Sequence, residues 1–210
     1  MVKREKKSKE RKKERRIVSK KQIKTENKIL RNFIFGVIAL IILFLLLALL
    51  INSAKNFEYE GIKFNVVKAG EVIFYHTSFP LIEDGREITY NVYLRKDPRM
   101  GGVAFDGEIN LLEMMVLENT ESFVCGGDGG IAMLNFQQIL GALGTTIIKD
   151  PNATCDSQGR FMFMRIQSGD ETSIKQFGPA CYEININNCE ILDGTERFLI
   201  ETLVELNKLI

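Results

Sequence analysis

The chain has 210 residues, with 28 Lys and Arg against 27 Asp and Glu, one His, four Cys and no Trp. The formal net charge of +1 conceals two opposite parts: residues 1–31 hold 15 basic residues and 4 Glu, a formal +11, and the remainder holds 13 basic and 23 acidic residues, a formal −10. The basic part has no aromatic side chain to stack on bases, so no nucleic-acid partner is expected, and without tryptophan the usual platform for sugar binding is missing.

The tail, KREKKSKERKKERR and onward, precedes a long apolar run. Each Lys or Arg near an anionic leaflet contributes about 1 kcal/mol, so the tail is expected to lie against anionic headgroups. Interleaved Glu5, Glu10 and Glu14 favour a charged, intermittently helical arm. Residues 33–51, FIFGVIALIILFLLLALLI, carry no charge. As a helix they measure about 28 Å, close to the hydrocarbon thickness of a bilayer. A cleaved signal peptide would have a shorter apolar region and a small-x-small site, which Asn52-Ser53-Ala54 fits poorly. Basic flanks stay cytoplasmic, so the expected layout is a cytoplasmic tail at 1–31, a transmembrane signal-anchor helix at 32–52 and an extracytoplasmic domain at 55–210 in the cell membrane.

The outer domain opens with strand-like stretches at 57–67, 71–82 and 87–95, rich in Ile, Val, Phe and Tyr, with Asp84-Gly85 as a tight turn between the last two. Alternation places Ile88, Tyr90, Val92 and Leu94 on the buried face. Residues 97–110, DPRMGGVAFDGEIN, read as a mobile loop, and 111–117 as a further strand. GGDGG then leads into IAMLNFQQILGAL, apolar around most of its circumference, which predicts a mostly buried helix over 130–143, capped near Asp128 and ended by Gly144. Strands are expected at 145–149, 160–167 and 182–187. A last helix is expected from Asp193, whose spacing to Glu196 matches a capping box, with Leu199, Leu203, Leu206 and Ile210 along one side. The class is therefore α+β: one transmembrane helix, then a mainly antiparallel sheet with two helices packed on one face.

Cys125, Cys155, Cys181 and Cys189 all fall in the outer domain, which suits disulfides in an oxidising space. A helix followed by a returning strand and loop would bring Cys155 back near Cys125, leaving Cys181 and Cys189 as the second pair. Eight extended residues would separate that pair by about 26 Å, whereas a bridge needs Cα atoms about 4.4–6.8 Å apart. Either the chain folds back near Asn187-Asn188 or the pairing is crossed. The spacings of 30, 26 and 8 include no CxxC, so no metal is expected.

The runs YNVYLRKDPR, IQSGDETSI and CYEININNCEILDGTERF resemble a group of single-pass membrane proteins of small-genome archaea that combine a basic N-terminal tail with a cysteine-containing exterior domain. The resemblance covers most of the outer domain. It implies the same topology and carries over neither activity nor catalytic residue.

Four features are weighed as sites. Gly127, Gly129 and Ala132 fit a dinucleotide fingerprint with Asp150 about twenty residues on, but the preceding ENTESFVC is a poor strand, and a glycine-rich turn is the default. His76 with Ser78 two residues on could serve a hydrolase, although nothing marks an orienting acid or an oxyanion hole. Arg95, Lys96, Asp97 and Arg99 form a dense charged patch, the candidate partner-binding residues. Asn152-Ala153-Thr154 is a sequon, making Asn152 a candidate glycosylation site. No catalytic residue, metal or cofactor is assigned. The leading expectation is a non-enzymatic anchored domain that binds a protein or cell-envelope partner. The alternative is an exterior enzyme, either a thiol-disulfide redox protein using Cys181 and Cys189 or a hydrolase using His76.

Overall fold

The computed structural model describes residues 2–209 apart from 84, 101 and 120–122, and their side chains except those of residues 2–26, 29, 83, 119 and 209. Helix α1 (Val2–Lys55) carries both the basic tail and the apolar run as one continuous helix, where an intermittently helical tail was expected. The tail's side chains up to residue 26, which carry most of its charge and of its expected headgroup contacts, lie outside the described residues. Within α1, the most apolar 18-residue window of Leu30–Lys55 has a mean hydropathy of 3.5 and none of it is buried, so among the described residues there is one helix long and apolar enough to anchor in a membrane. Residues Lys55–Ile210 form a separate compact unit.

That unit shows the α+β class, with its strands divided between two sheets. The first is an antiparallel meander of β1 (Asn56–Tyr59), β2 (Ile62–Ala69), β3 (Val72–Glu83) and β4 (Arg86–Leu94), in that spatial order. The single strand expected at 57–67 is a hairpin, because Glu60 and Gly61 take φ of 49° and 83° and turn the chain. Gly85, at φ 75°, joins β3 to β4; its partner Asp84 is not among the described residues. The register matches Thr77 with Val92 and Phe79 with Tyr90, and Ile62, Phe64, Phe79, Val92 and Leu94 are buried; of the four β4 residues expected on that face, Val92 and Leu94 are buried, Tyr90 is half-buried and Ile88, near the β3–β4 turn, is exposed. Ladder pairs between β2 and β3 run only from His76 to Val72. Pro80, which has no N–H to give a ladder, lies beyond that end.

The second sheet has the order β5 (Ala104–Asp106), β9 (Ser173–Gly178), β10 (Cys181–Ile186), β8 (Met162–Ser168), β6 (Met114–Asn119), β7 (Thr146–Lys149). Only β9 and β10 run antiparallel; the other four pairings are parallel. The segment expected to be a mobile loop contains β5, and residues after it are laced down: Glu108 N–H donates to Gln176 Oε1 at 2.8 Å, Asn110 N–H to Tyr182 Oη at 2.7 Å, and Tyr182 Oη to Glu108 O at 2.9 Å. Strand β9 has no counterpart in the sequence reading.

Helices α2 (Asp128–Ala142) and α3 (Ile191–Leu209) lie between the two sheets. Helix α3 packs on β9 and β10 on one side and β2 on the other, and Tyr90 of β4 donates to the Gln138 carbonyl of α2 at 3.1 Å. One core therefore serves both sheets, with Phe136 of α2, Phe198 of α3 and Tyr182 of β10 in ring contact at its centre. The sequence points to α2 as the more buried helix; in the structure it is α3, buried almost all round. Its Thr195 and Thr202 hydroxyls return to the carbonyls of Ile191 and Phe198 at 2.7 and 2.9 Å, which keeps polar groups satisfied inside the layer. The expected capping box does not form: α3 starts at Ile191, and Glu196 points elsewhere.

Candidate partner-binding cleft

Strand β4 ends at Leu94, and the next two backbone N–H groups would be left without a ladder. Glu196 accepts both: Arg95 N–H at 2.9 Å and Lys96 N–H at 2.8 Å, with Asn135 Nδ2 of α2 a third donor at 3.4 Å. Glu196 is 1% exposed. Burial pushes its carboxyl up to about 7, offset in part by the two backbone donors. A single carboxylate thus ties the meander to α3 and α2. Its helical register is shared with Leu192, Leu199 and Leu203, so an acid at a core position was a signal in the sequence, hidden by the capping-box reading.

Beyond Lys96 the chain makes a short 3-10 turn, Pro98–Met100. Asp97 organises it: its carbonyl accepts Met100 N–H at 3.0 Å, its Oδ1 accepts Arg99 N–H at 3.0 Å, and its carboxylate takes the Arg99 guanidinium through Nε at 2.9 Å and Nη2 at 2.7 Å. That guanidinium holds the Asp97 carboxyl below the ordinary range, and it also stacks 3.8 Å over the Phe57 ring. Lys96 Nζ reaches Asp193 at 2.7 Å across the mouth of a cleft of about 360 Å³, lined by Tyr75, Lys96, Asp97, Met100, Asp193 and Arg197 among others. Arg197 is held by Tyr59 and Glu201.

Of the four charged residues singled out in the sequence, Arg95, Lys96 and Asp97 line the cleft, while Arg99 is spent on Asp97 and Phe57. Arg95 extends over Phe74 on the outer face of the meander, 6.0 Å from the ring centroid. Asp193, Glu196 and Arg197, a hundred residues later in sequence, complete the cleft.

The other candidates are placed elsewhere. His76 sits on the outer face of the meander with Nδ1 2.6 Å from Asn65 Oδ1 and Nε2 2.9 Å from Asn91 Oδ1, so both ring nitrogens are engaged by amides and neither serves Ser78. In the glycine-rich segment, Gly126 and Gly127 take φ of 65° and 105°, and a Cβ on Gly129 would collide with the Phe123 carbonyl. Those glycines are accounted for by the sharp entry into α2. Asp150 is spent on its own turn, accepting Asn152 N–H at 2.9 Å, and Asn152 and Thr154 are exposed there.

All four cysteines are paired, in the crossed arrangement: Cys125 with Cys189 and Cys155 with Cys181, at Cα separations of 5.4 and 5.7 Å. The pairs Cys125–Cys155 and Cys181–Cys189 are not formed. Strand β10 explains why, since Cys181 opens it and Cys189 follows its far end. Parallel β6 and β10 deliver Cys125 and Cys189 to the same edge of the sheet, ahead of α2 and α3. Comparison of the chain with protein-family models, with curated proteins and with solved structures gives no match.

Proposed function

We propose that the protein is a single-pass cell-membrane protein with its N-terminus in the cytoplasm, and that its exterior domain binds a protein or cell-envelope component through the cleft beside Lys96 and Met100, without catalysis. The observation that carries this reading is the fixed presentation of Met100. It is 82% exposed, yet its turn is locked by Asp97 and, through Arg95 and Lys96, by buried Glu196. An exposed thioether on a rigid turn, flanked by a guanidinium and a surface ion pair, has the mixed apolar and charged character of an interface centre. The basic flank of the apolar helix supports the orientation, and two disulfides suit an oxidising exterior. In that topology the exposed sequon at Asn152 faces the glycosylating compartment.

The test places a photo-cross-linking residue at Met100 and, as a control, at Ile148 on the edge strand β7, in the full-length protein in native membranes. A discrete adduct from position 100 that is absent from position 148 and lost in Lys96→Ala/Asp193→Ala supports the reading. Equal labelling from both positions, or none from 100, overturns it.

A further inference from the structure

The two disulfides sit in opposite surroundings. Cys181 is wholly buried at the start of β10, its Sγ lies 4.0 Å from the Asp156 carbonyl, and Gly178 packs so closely that a Cβ there would lie 2.7 Å from Cys155 Sγ and 3.2 Å from Cys181 Sγ. Asp156 is in turn clamped by the Arg160 guanidinium at 2.8 Å. Cys189, by contrast, is exposed, and so are its neighbours Asn188 and Glu190 and, on the other strand of the bridge, Val124 and Gly126. The backbone differs too. Four non-glycine residues among those described have positive φ; two are the cysteines of this bridge, Cys125 at 40° and Cys189 at 63°, and a third, Asn188 at 45°, adjoins it. Left-handed backbone at non-glycine residues is strained, and such strain persists only where the surroundings enforce it. Here the bridge itself joins the two strained turns, so opening it lets both relax.

We propose that Cys125–Cys189 is a thiol-exchange site, opened by a dithiol reductant such as a thioredoxin-class protein, while Cys155–Cys181 remains closed. The thiolate of the dithiol attacks the Sγ of Cys189, the more exposed residue of the pair. The Cys125–Cys189 bond breaks, a mixed disulfide with Cys189 forms, and Cys125 leaves as a thiolate that takes a proton from solvent. The second thiol of the dithiol then attacks the mixed disulfide and releases Cys189. The reductant becomes a disulfide, and two electrons and two protons pass to Cys125 and Cys189. The fold survives because α2 and α3 stay joined by Phe136 on Phe198, 5.5 Å apart between ring centroids, well inside the core. What is freed is the approach to α2 and the turn between β10 and α3. This inference does not depend on the partner reading of the cleft.

The experiment titrates the full-length protein in lipid nanodiscs with dithiothreitol, and separately with reduced thioredoxin. Thiols are alkylated at each step, each cysteine peptide is quantified by mass spectrometry, and circular dichroism is recorded in parallel. Cys125 and Cys189 are expected to label together at a dithiol concentration at least about tenfold below that needed for Cys155 and Cys181, with the dichroism unchanged. Simultaneous reduction of both pairs, earlier labelling of Cys155 and Cys181, resistance of both until denaturant is added, or loss of the folded spectrum on the first reduction would each overturn the proposal.

Discussion

The two sheets solve the same problem in different ways. The meander is built from hairpins between strands adjacent in sequence, carries no disulfide, and leaves its outer face to His76, Tyr93, Asn65 and Asn91. The six-stranded sheet gathers strands far apart in the chain, buries Met115, Met162, Met164, Tyr182 and Ile184, and holds both disulfides at its ends. Local pairing closes short loops cheaply, whereas non-local parallel pairing must be supported by a deep core and by covalent ties. The two systems meet at α3, and Glu196 is the polar joint between them.

The contrast is broken most directly from the core. Phe198→Ala removes a ring that contacts both Phe136 and Tyr182 at zero exposure, and a loss of about 3–5 kcal/mol is expected in denaturant unfolding. A loss below about 1 kcal/mol would mean that the large sheet does not dominate stability. The joint is next. Glu196 is protonated in both states below its ordinary value of 4.5 and loses its folded-state proton only near 7, so the folded form binds more protons in between. Stability should therefore fall by about 3 kcal/mol as pH rises from about 4.5 to about 8, before the contributions of other groups. Glu196→Gln should flatten that slope; a variant with the wild-type slope would remove Glu196 as its source. Asp97, whose carboxyl is held low by Arg99, acts in the opposite sense, contributing stability that is lost as pH falls below about 4.

Smaller effects are expected on the meander. Tyr93→Ala gives up edge contacts with Phe74 and His76 on an open face and should cost about 1 kcal/mol by thermal unfolding, several-fold less than Phe198→Ala. Smallest is Lys96→Ala, which removes a solvent-exposed ion pair with Asp193 and should change stability by about 0–1 kcal/mol. That near-silence is what allows Lys96→Ala to report on partner binding instead of folding.

How much was legible follows the same division. In the meander, alternation marked β3 and β4 to within a residue or two, because one face is buried and the period is two. The hairpin at Glu60-Gly61 was missed although its Gly was a signal. In the large sheet, Tyr182, Ile184 and Ile186 alternated visibly, but β5 and β9 did not. A three-residue strand, and one reading SIKQFG, acquire their conformation from the neighbours they pair with. For the cleft, the sequence marked Arg95, Lys96, Asp97 and Arg99 as one dense cluster. Their division into three lining residues and one, Arg99, that braces the turn through Asp97 and Phe57 depends on Phe57 and on α3.

By itself the sequence determined what is set by composition and local period: an apolar helix of membrane-spanning length behind a basic segment, an α+β domain, and a β-rich start to that domain. Tertiary structure alone decided what depends on which strand ends share an edge. Parallel β6 and β10 bring Cys125 to Cys189, the opposite edge brings Cys155 to Cys181, and α3 seated between two sheets turns Glu196 from an apparent helix cap into the acceptor for the end of β4. Pairings of that kind are set by strand order and packing, which a one-dimensional pattern of residues does not encode.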